Sequence, residues 1–125
     1  MNIEEVRNYA LSLPGTTERC PFGPDTLSIE VCGRIFVLMT LAGEWDFYNL
    51  KANPDYAVEL LDRYRGIQPG YHMNKRHWIS VDFSGDVPDD LQRSLIDHSY
   101  RQVVSKLPRK VRLELDLPVD LSSND

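Results

Sequence analysis

The stretch Leu27-Ser28-Ile29-Glu30-Val31-Cys32-Gly33-Arg34-Ile35-Phe36-Val37-Leu38-Met39 decides the fold class. Leu27, Ile29 and Val31 alternate with polar Ser28 and Glu30, the two-residue period of a strand with one buried face. Cys32-Gly33 marks a tight turn, and Arg34 to Leu41 returns as a second strand whose apolar run implies burial. A connection this short cannot supply a parallel crossover, so the two strands are antiparallel.

Before this hairpin, Ile3, Val6, Tyr9, Ala10 and Leu13 recur at helical spacing, with Asn2 as cap and Glu5 at the capping-box position. Pro14-Gly15 stops that helix. The segment from Thr16 to Asp25 contains Pro21, Gly23 and Pro24 and reads as a connecting loop anchored by Phe22. Beyond the hairpin, Ala42-Gly43-Glu44 turns the chain into a third strand, Trp45 to Leu50, rich in aromatics. Asn53-Pro54 opens a helix with the stripe Tyr56, Ala57, Leu60, Leu61 and Tyr64, ended by Gly66. A loop through Pro69-Gly70 leads to a fourth strand from Trp78 to Phe83. A long helix from about Pro88 to Leu107 carries Leu91, Leu95, Ile96, Ser99, Val103 and Leu107 on one face, with Asp89 and Asp90 in its first turn. Pro108 ends it and opens a short last helix through Leu115. This order gives an α+β fold, an antiparallel sheet with helices packed on one face. Residues 1–117 form one domain, and the polar residues 118–125 are expected to fray.

The 125 residues carry a net charge of −5, which argues against a protein that coats nucleic acid without specificity. Apolar runs are only a few residues long, far short of the roughly 20 needed for a membrane helix. The N-terminus lacks the cationic start and apolar stretch of a secretory signal, so the expected location is the cytosol. Cys20 and Cys32 are too far apart for a CxxC pair and are expected to be small buried hydrophobes. The charges are sorted along the chain. No carboxylate falls between Asp62 and Asp82, or from His98 to Leu113. These two windows hold Arg63, Arg65, Lys75, Arg76, Arg101, Lys106, Arg109, Lys110 and Arg112, nine of the fourteen Lys and Arg residues. If both windows lie on one face, that face is cationic. Helix dipoles alone would account for Arg63, Arg65 and Lys106.

Four ordered blocks carry a resemblance: Leu13-Pro14-Gly15-Thr16-Thr17-Glu18, Pro21-Phe22-Gly23-Pro24-Asp25-Thr26-Leu27, Pro69-Gly70-Tyr71-His72-Met73-Asn74-Lys75-Arg76-His77-Trp78 and Asp97-His98-Ser99-Tyr100. In order and spacing they resemble the YjbR/MmcQ family over roughly Ile3 to Leu115, the second and third blocks being the specific ones. The resemblance implies a small α+β domain in a frataxin-like, or double-wing, arrangement. It also implies DNA binding, a label that rests on similar folds. Two positions depart from the family pattern. Arg76 follows Lys75 where relatives commonly carry a second lysine, which keeps the charge and adds a planar guanidinium. Arg19-Cys20 stands where an acidic and an aromatic residue are expected.

Two binding chemistries fit the Gly70–Trp78 segment. For DNA, Lys75, Arg76, His72 and Asn74 would hold phosphates and Tyr71 or Trp78 would stack on a base, with Arg109, Lys110 and Arg112 as a second backbone contact. For a small planar or anionic metabolite, Trp45, Phe47, Tyr48, Tyr71, His72 and Trp78 would line an aromatic pocket fringed by Asn74 and Lys75. A purely structural reading has Trp78 plugging the core, Asn74 satisfying a turn and His77 as a strand residue. No catalytic constellation emerges. Ser99 and His98 are adjacent on one helix and diverge by about 100°. His72, His77, Asp82 and Cys20 lack metal-ligand spacing, and no cofactor is implied. The expectation is a non-catalytic binding domain, with DNA as the leading partner and a metabolite as the alternative.

Overall fold

Helix α1 spans Ile3–Leu11 and β1 Thr16–Arg19, followed by β2 Thr26–Val31, β3 Arg34–Thr40, β4 Phe47–Lys51, α2 Pro54–Arg63, β5 Ile67–Pro69, β6 Trp78–Asp82, α3 Asp89–Val104 and α4 Arg109–Glu114. These elements come from a computed structural model, which describes residues 1–43, 45–115 and 117. The six strands form one antiparallel sheet in the order β1-β2-β3-β4-β6-β5. The starts of α1 and α2 follow the capping chemistry of their asparagines. Asn2 Oδ1 accepts the Glu5 N–H at 2.8 Å, and Asn53 Oδ1 accepts the Asp55 and Tyr56 N–H groups at 2.9 and 3.3 Å.

The core lies between one face of the sheet and helices α1 and α3. Val6 and Ala10 of α1 and Leu95, Ile96 and Val103 of α3 are buried with Ile29, Val37, Met39, Leu50, Ile79 and Val81 of the strands. The hairpin turns through Cys32 (φ 51°) and Gly33 (φ 78°), two consecutive left-handed residues that match the twist of a two-residue hairpin. A register shift between Ile29 and Glu30 leaves Phe36 without a cross-strand partner. This bulge lets Phe36 and Val37, adjacent in sequence, both enter the core. It is why β3 reads as an apolar run rather than an alternation.

Several expectations are corrected. Thr16–Arg19 is a strand, not part of a loop, because its polar residues pair as the sheet edge with Val31 to Ser28 of β2. An edge strand needs no buried face, so it leaves no alternating pattern. Phe22 is 64% exposed and anchors nothing. Both cysteines are exposed, Cys32 because the turn carries it out of the hairpin. Ile67–Pro69 is a second short edge strand, on β6, where Pro69 is tolerated because an edge has one unpaired side. Helix α2 ends at Arg63 with Tyr64 as its cap, ahead of Gly66, which is buried; a Cβ there would stand 3.0 Å from both Asp86 and Val87. The residues expected to fray, 118–125, lie outside the described residues.

The sheet face away from the helices is also covered. Ser28, Glu30, Asn49 and Ser80 are buried there, although they are polar. Each has a partner. Glu30 accepts from Arg19 Nε and from Ser28 Oγ, both at 3.0 Å. Satisfied in this way, the buried polar groups avoid the desolvation penalty of unpaired ones.

The block Asp97-His98-Ser99-Tyr100 ties α3 to the rest of the chain. Tyr9 donates its hydroxyl to Asp97 at 2.8 Å, and Tyr100 donates to the Pro14 carbonyl at 2.5 Å. His98 Nε2 accepts the Asn53 N–H at 3.0 Å, which fixes its proton on Nδ1. Ser99 Oγ donates to the Phe36 carbonyl at 2.6 Å and accepts the Lys51 N–H at 2.8 Å. It therefore bridges β3 and β4 where their ladder, only Val37↔Leu50 and Leu38↔Asn49, has stopped.

Replacing Ser99 by alanine orphans two buried backbone groups at once. We expect a destabilisation of about 1–3 kcal/mol, read as a lower urea midpoint with an unchanged slope. An unchanged midpoint would show that the bridge contributes nothing. A second expectation concerns pH. Asp86 accepts the Arg65 and Gly66 N–H groups at 2.7 and 2.8 Å, and these two bonds, Arg65 first, hold its carboxyl below the usual carboxylate range. Its contribution to stability is complete above about pH 4, the ordinary aspartate value, and is lost as pH falls through the depressed value. Urea midpoints between pH 6 and pH 3 should fall less for Asp86→Asn than for wild type; parallel curves would refute this role.

Candidate functional site

The Gly70–Trp78 segment leaves β5, folds back over the outer face of the sheet and re-enters as β6. Gly70 makes the return possible. Its N–H donates to the Trp78 carbonyl at 2.9 Å, and a Cβ on Gly70 would lie 2.7 Å from the Trp78 Cβ. The backbone of Tyr71 is then held on both sides. Its N–H donates to Ser80 Oγ at 3.0 Å and its carbonyl accepts from Asn49 Nδ2 at 3.0 Å, while Ser80 donates to Asn49 Oδ1 at 2.5 Å. His72 takes a left-handed backbone, φ 58°, and turns the chain outward. Asn74 Oδ1 accepts the Arg76 N–H at 3.0 Å, an Asx turn, and Lys75 Nζ donates to the Gly70 carbonyl at 2.9 Å.

The aromatic residues separate into three places. Trp45 stacks on Phe47 at 5.0 Å, and Tyr71 meets both edge-on at 5.5 and 5.7 Å, with the His72 ring 4.0 Å from that of Tyr71. These four rings pack on one another. Tyr48 points to the opposite face, fully buried, and donates to Gln92 Oε1 at 2.8 Å. Trp78 stands apart from both groups.

Trp78 instead lines a cleft of about 330 Å³ at the end of the sheet, together with Arg34, Ile35, Lys51, Val103 and Lys106. The cleft opens where the β3–β4 ladder has ended and Ser99 stands between the strands. Ile35 and Val103 give it an apolar floor, and among the described residues no carboxylate lines it. Lys51 Nζ lies 6.0 Å from the centre of the Trp78 ring. Among the described residues, none of Arg34, Lys51 and Lys106 forms an ion pair. Burial first, then the charges of Lys106 and Arg34, hold the Lys51 ammonium below its ordinary value.

Carboxylates collect at the other end of the same strands. Asp82 closes β6, and its carboxyl is pushed up by burial and then by the charges of Asp86 and Asp46. With Lys51 and Trp78 at one end of five-residue strands and Phe47 paired with Asp82 at the other, the two charge clusters stand about 13 Å apart.

The residues singled out in the sequence are therefore divided. Asn74 is a turn-former and Tyr71 and His72 belong to the ring cluster, while Lys75 and Arg76 are exposed on the loop. Half-buried Trp78 faces the cleft. Arg109 and Lys110 are exposed on α4, which begins just past Lys106, and Arg112 is half-buried there. The two carboxylate-free windows meet through Trp78 of one and Lys106 of the other. Arg34 and Lys51 escaped the sequence reading, because each is an isolated cation at a strand end. Sequence offers no cue for them, since Glu30 and Asp55 each lie only four residues away.

Relatives share this architecture. The crystal structure of Deinococcus radiodurans protein DR2400, which carries the domain DUF419, superposes with a TM-score of 0.88 at 32% identity, covering 99% of this chain and 94% of that one. A Pseudomonas syringae protein of known crystal structure gives a TM-score of 0.67 at 28% identity, covering 79% of this chain and 96% of that one. The Escherichia coli O157:H7 protein YbdF is 37% identical over 107 residues, 86% of this chain and 88% of its own length. Escherichia coli K12 YjbR is 30% identical over 112 residues, 90% of this chain and 95% of its own. Both are described as uncharacterised. With the YjbR family model also matching residues 11–102, the chain belongs to the YjbR family.

Proposed function

We propose that this domain is a non-catalytic binding module that takes nucleic-acid phosphates on the cationic end of its sheet. One observation carries the reading: Trp78 and Lys106, one from each carboxylate-free window, line the same cleft with Arg34 and Lys51. Lys75 and Arg76 on the adjoining loop, with Arg109 and Lys110 on α4, extend this positive surface. Exposed cations of this kind gain affinity by displacing counterions from phosphate. The clamp on Tyr71 holds the loop backbone in place, so that little ordering cost falls on the binding step. A catalytic role for Ser99 is disfavoured by its burial and by its two backbone bonds, which occupy the hydroxyl.

Fluorescence anisotropy with labelled duplex and single-stranded DNA across a salt series tests this. Affinity should fall steeply with salt, and Lys75→Ala/Arg76→Ala should flatten the logarithmic slope by about one for each phosphate that the variant no longer neutralises. Arg63→Ala/Arg65→Ala, beside the carboxylates at the opposite end, should leave binding unchanged. Absence of binding at low salt and tens of micromolar protein would refute the proposal, as would equal effects of the two double variants.

A further inference from the structure

We propose that the cleft between Arg34, Lys51 and Lys106 is a seat for one terminal phosphate on a planar base, a phosphomonoester whose ring lies against Trp78. The proposal deepens the phosphate-binding reading above and rests on it for the sign of the ligand's charge.

Three cations converge here from three elements. Arg34 opens β3, Lys51 closes β4 and Lys106 follows α3, and none of them forms an ion pair among the described residues. Lys106 alone has a local explanation, since a helix C-terminus favours a cation. Arg34 and Lys51 sit on strands, where no such dipole acts. Burial first, and then the repulsion of Lys106 and Arg34, lowers the Lys51 ammonium, and a doubly charged anion would relieve that repulsion among all three. A phosphomonoester carries about −1.5 to −2 charges near neutrality, so it neutralises more of the three cations than a phosphodiester does. A diester in the middle of a strand carries one. The arginine fork can take two phosphate oxygens while the lysines act as point charges.

The remaining lining selects what is attached to the phosphate. Trp78 presents an aromatic surface, and Ile35 and Val103 are apolar. A base can stack there at little desolvation cost. At about 330 Å³ the cleft falls at the small end of the usual range of ligand sites. It has room for one nucleotide unit.

Such a unit has two sources, a free mononucleotide or the phosphorylated end of a strand. The test uses the whole chain carrying Trp45→Phe, which leaves Trp78 as the sole indole. Its fluorescence is titrated with adenosine monophosphate, with adenosine and with inorganic phosphate. A saturable change with the monophosphate, at least tenfold tighter than with adenosine or phosphate, is expected. Lys106→Gln, an exposed position, and Lys51→Gln should each weaken it about tenfold, with the far-ultraviolet circular dichroism of both variants unchanged. A response to adenosine equal to that of the monophosphate, or none to any of the three at millimolar concentration, would overturn the proposal.

A single-stranded oligonucleotide with and without a 5′-phosphate separates the sources. Preference for the phosphorylated strand, abolished in Lys106→Gln, supports the proposal with strand ends as the source. Monophosphate binding without that preference supports it with the free nucleotide as the source. Binding of the unphosphorylated strand through Lys75 and Arg76 with no monophosphate response overturns the cleft proposal and leaves the surface reading intact.

Discussion

The hydroxyl of Ser99 is the contact on which the functional end of this molecule depends. It donates to the Phe36 carbonyl and accepts the Lys51 N–H, so it takes the place that a strand-to-strand bond would otherwise fill. Two adjacent antiparallel strands normally satisfy each other along their shared length. Here the ladder between β3 and β4 is two residue pairs long, and α3 supplies the next link through a side chain. The imidazole of His98 continues the bridge by accepting the Asn53 N–H, beside the start of α2. Because a helix does the bridging, the strand ends need not stay in contact, and the cleft with Arg34 and Lys51 on its walls lies at that end.

The second constraint acts from the opposite face. Asn49 and Ser80 are neighbours across β4 and β6, fully buried or nearly so, and together they saturate the Tyr71 amide. Two polar side chains in a sheet centre would be costly alone, but their mutual hydrogen bond and their bonds to the loop leave none of these groups unpaired. The loop is therefore part of the folded sheet. Its Gly70, closely packed on Trp78, transmits that fixation to the residue which lines the cleft. Beside it the rings of Trp45, Phe47, Tyr71 and His72 pack on one another over the same loop.

Much of this was legible in the sequence where local chemistry decides structure. Asn2 and Asn53 cap their helices, Cys32-Gly33 turns the hairpin, and the apolar stripe of α3 faces the core. The edge strands were not legible, because Thr16–Arg19 and Ile67–Pro69 are short and are held by partners distant in sequence. Nor was the covered outer face. Ser28 and Glu30 alternate with apolar residues as solvent-facing positions would, and only tertiary packing makes them, Asn49 and Ser80 interior. The block Asp97-His98-Ser99-Tyr100 was recognisable as a pattern, yet its hydrogen-bond partners, Tyr9, Asn53, Phe36 with Lys51, and Pro14, lie on four other segments. The cleft was hidden for the same reason. Its three cations come from separate elements, and only one of them falls in a carboxylate-free window.

A net charge of −5 would ordinarily set a chain against anionic ligands, and the fold reconciles the two by separating charge along the strands. Asp46, Asp82 and Asp86 crowd one end closely enough to raise the Asp82 carboxyl, while Lys51, Arg34 and Lys106 crowd the other closely enough to lower the Lys51 ammonium. The shifts have opposite signs and, after burial, the same cause, like charges brought together by the sheet. At physiological ionic strength the screening length is about 8 Å, shorter than the roughly 13 Å span of a five-residue strand. An anion at the cationic end is therefore largely screened from the acidic end. Local charge governs what approaches each end, and the net charge of the chain governs neither.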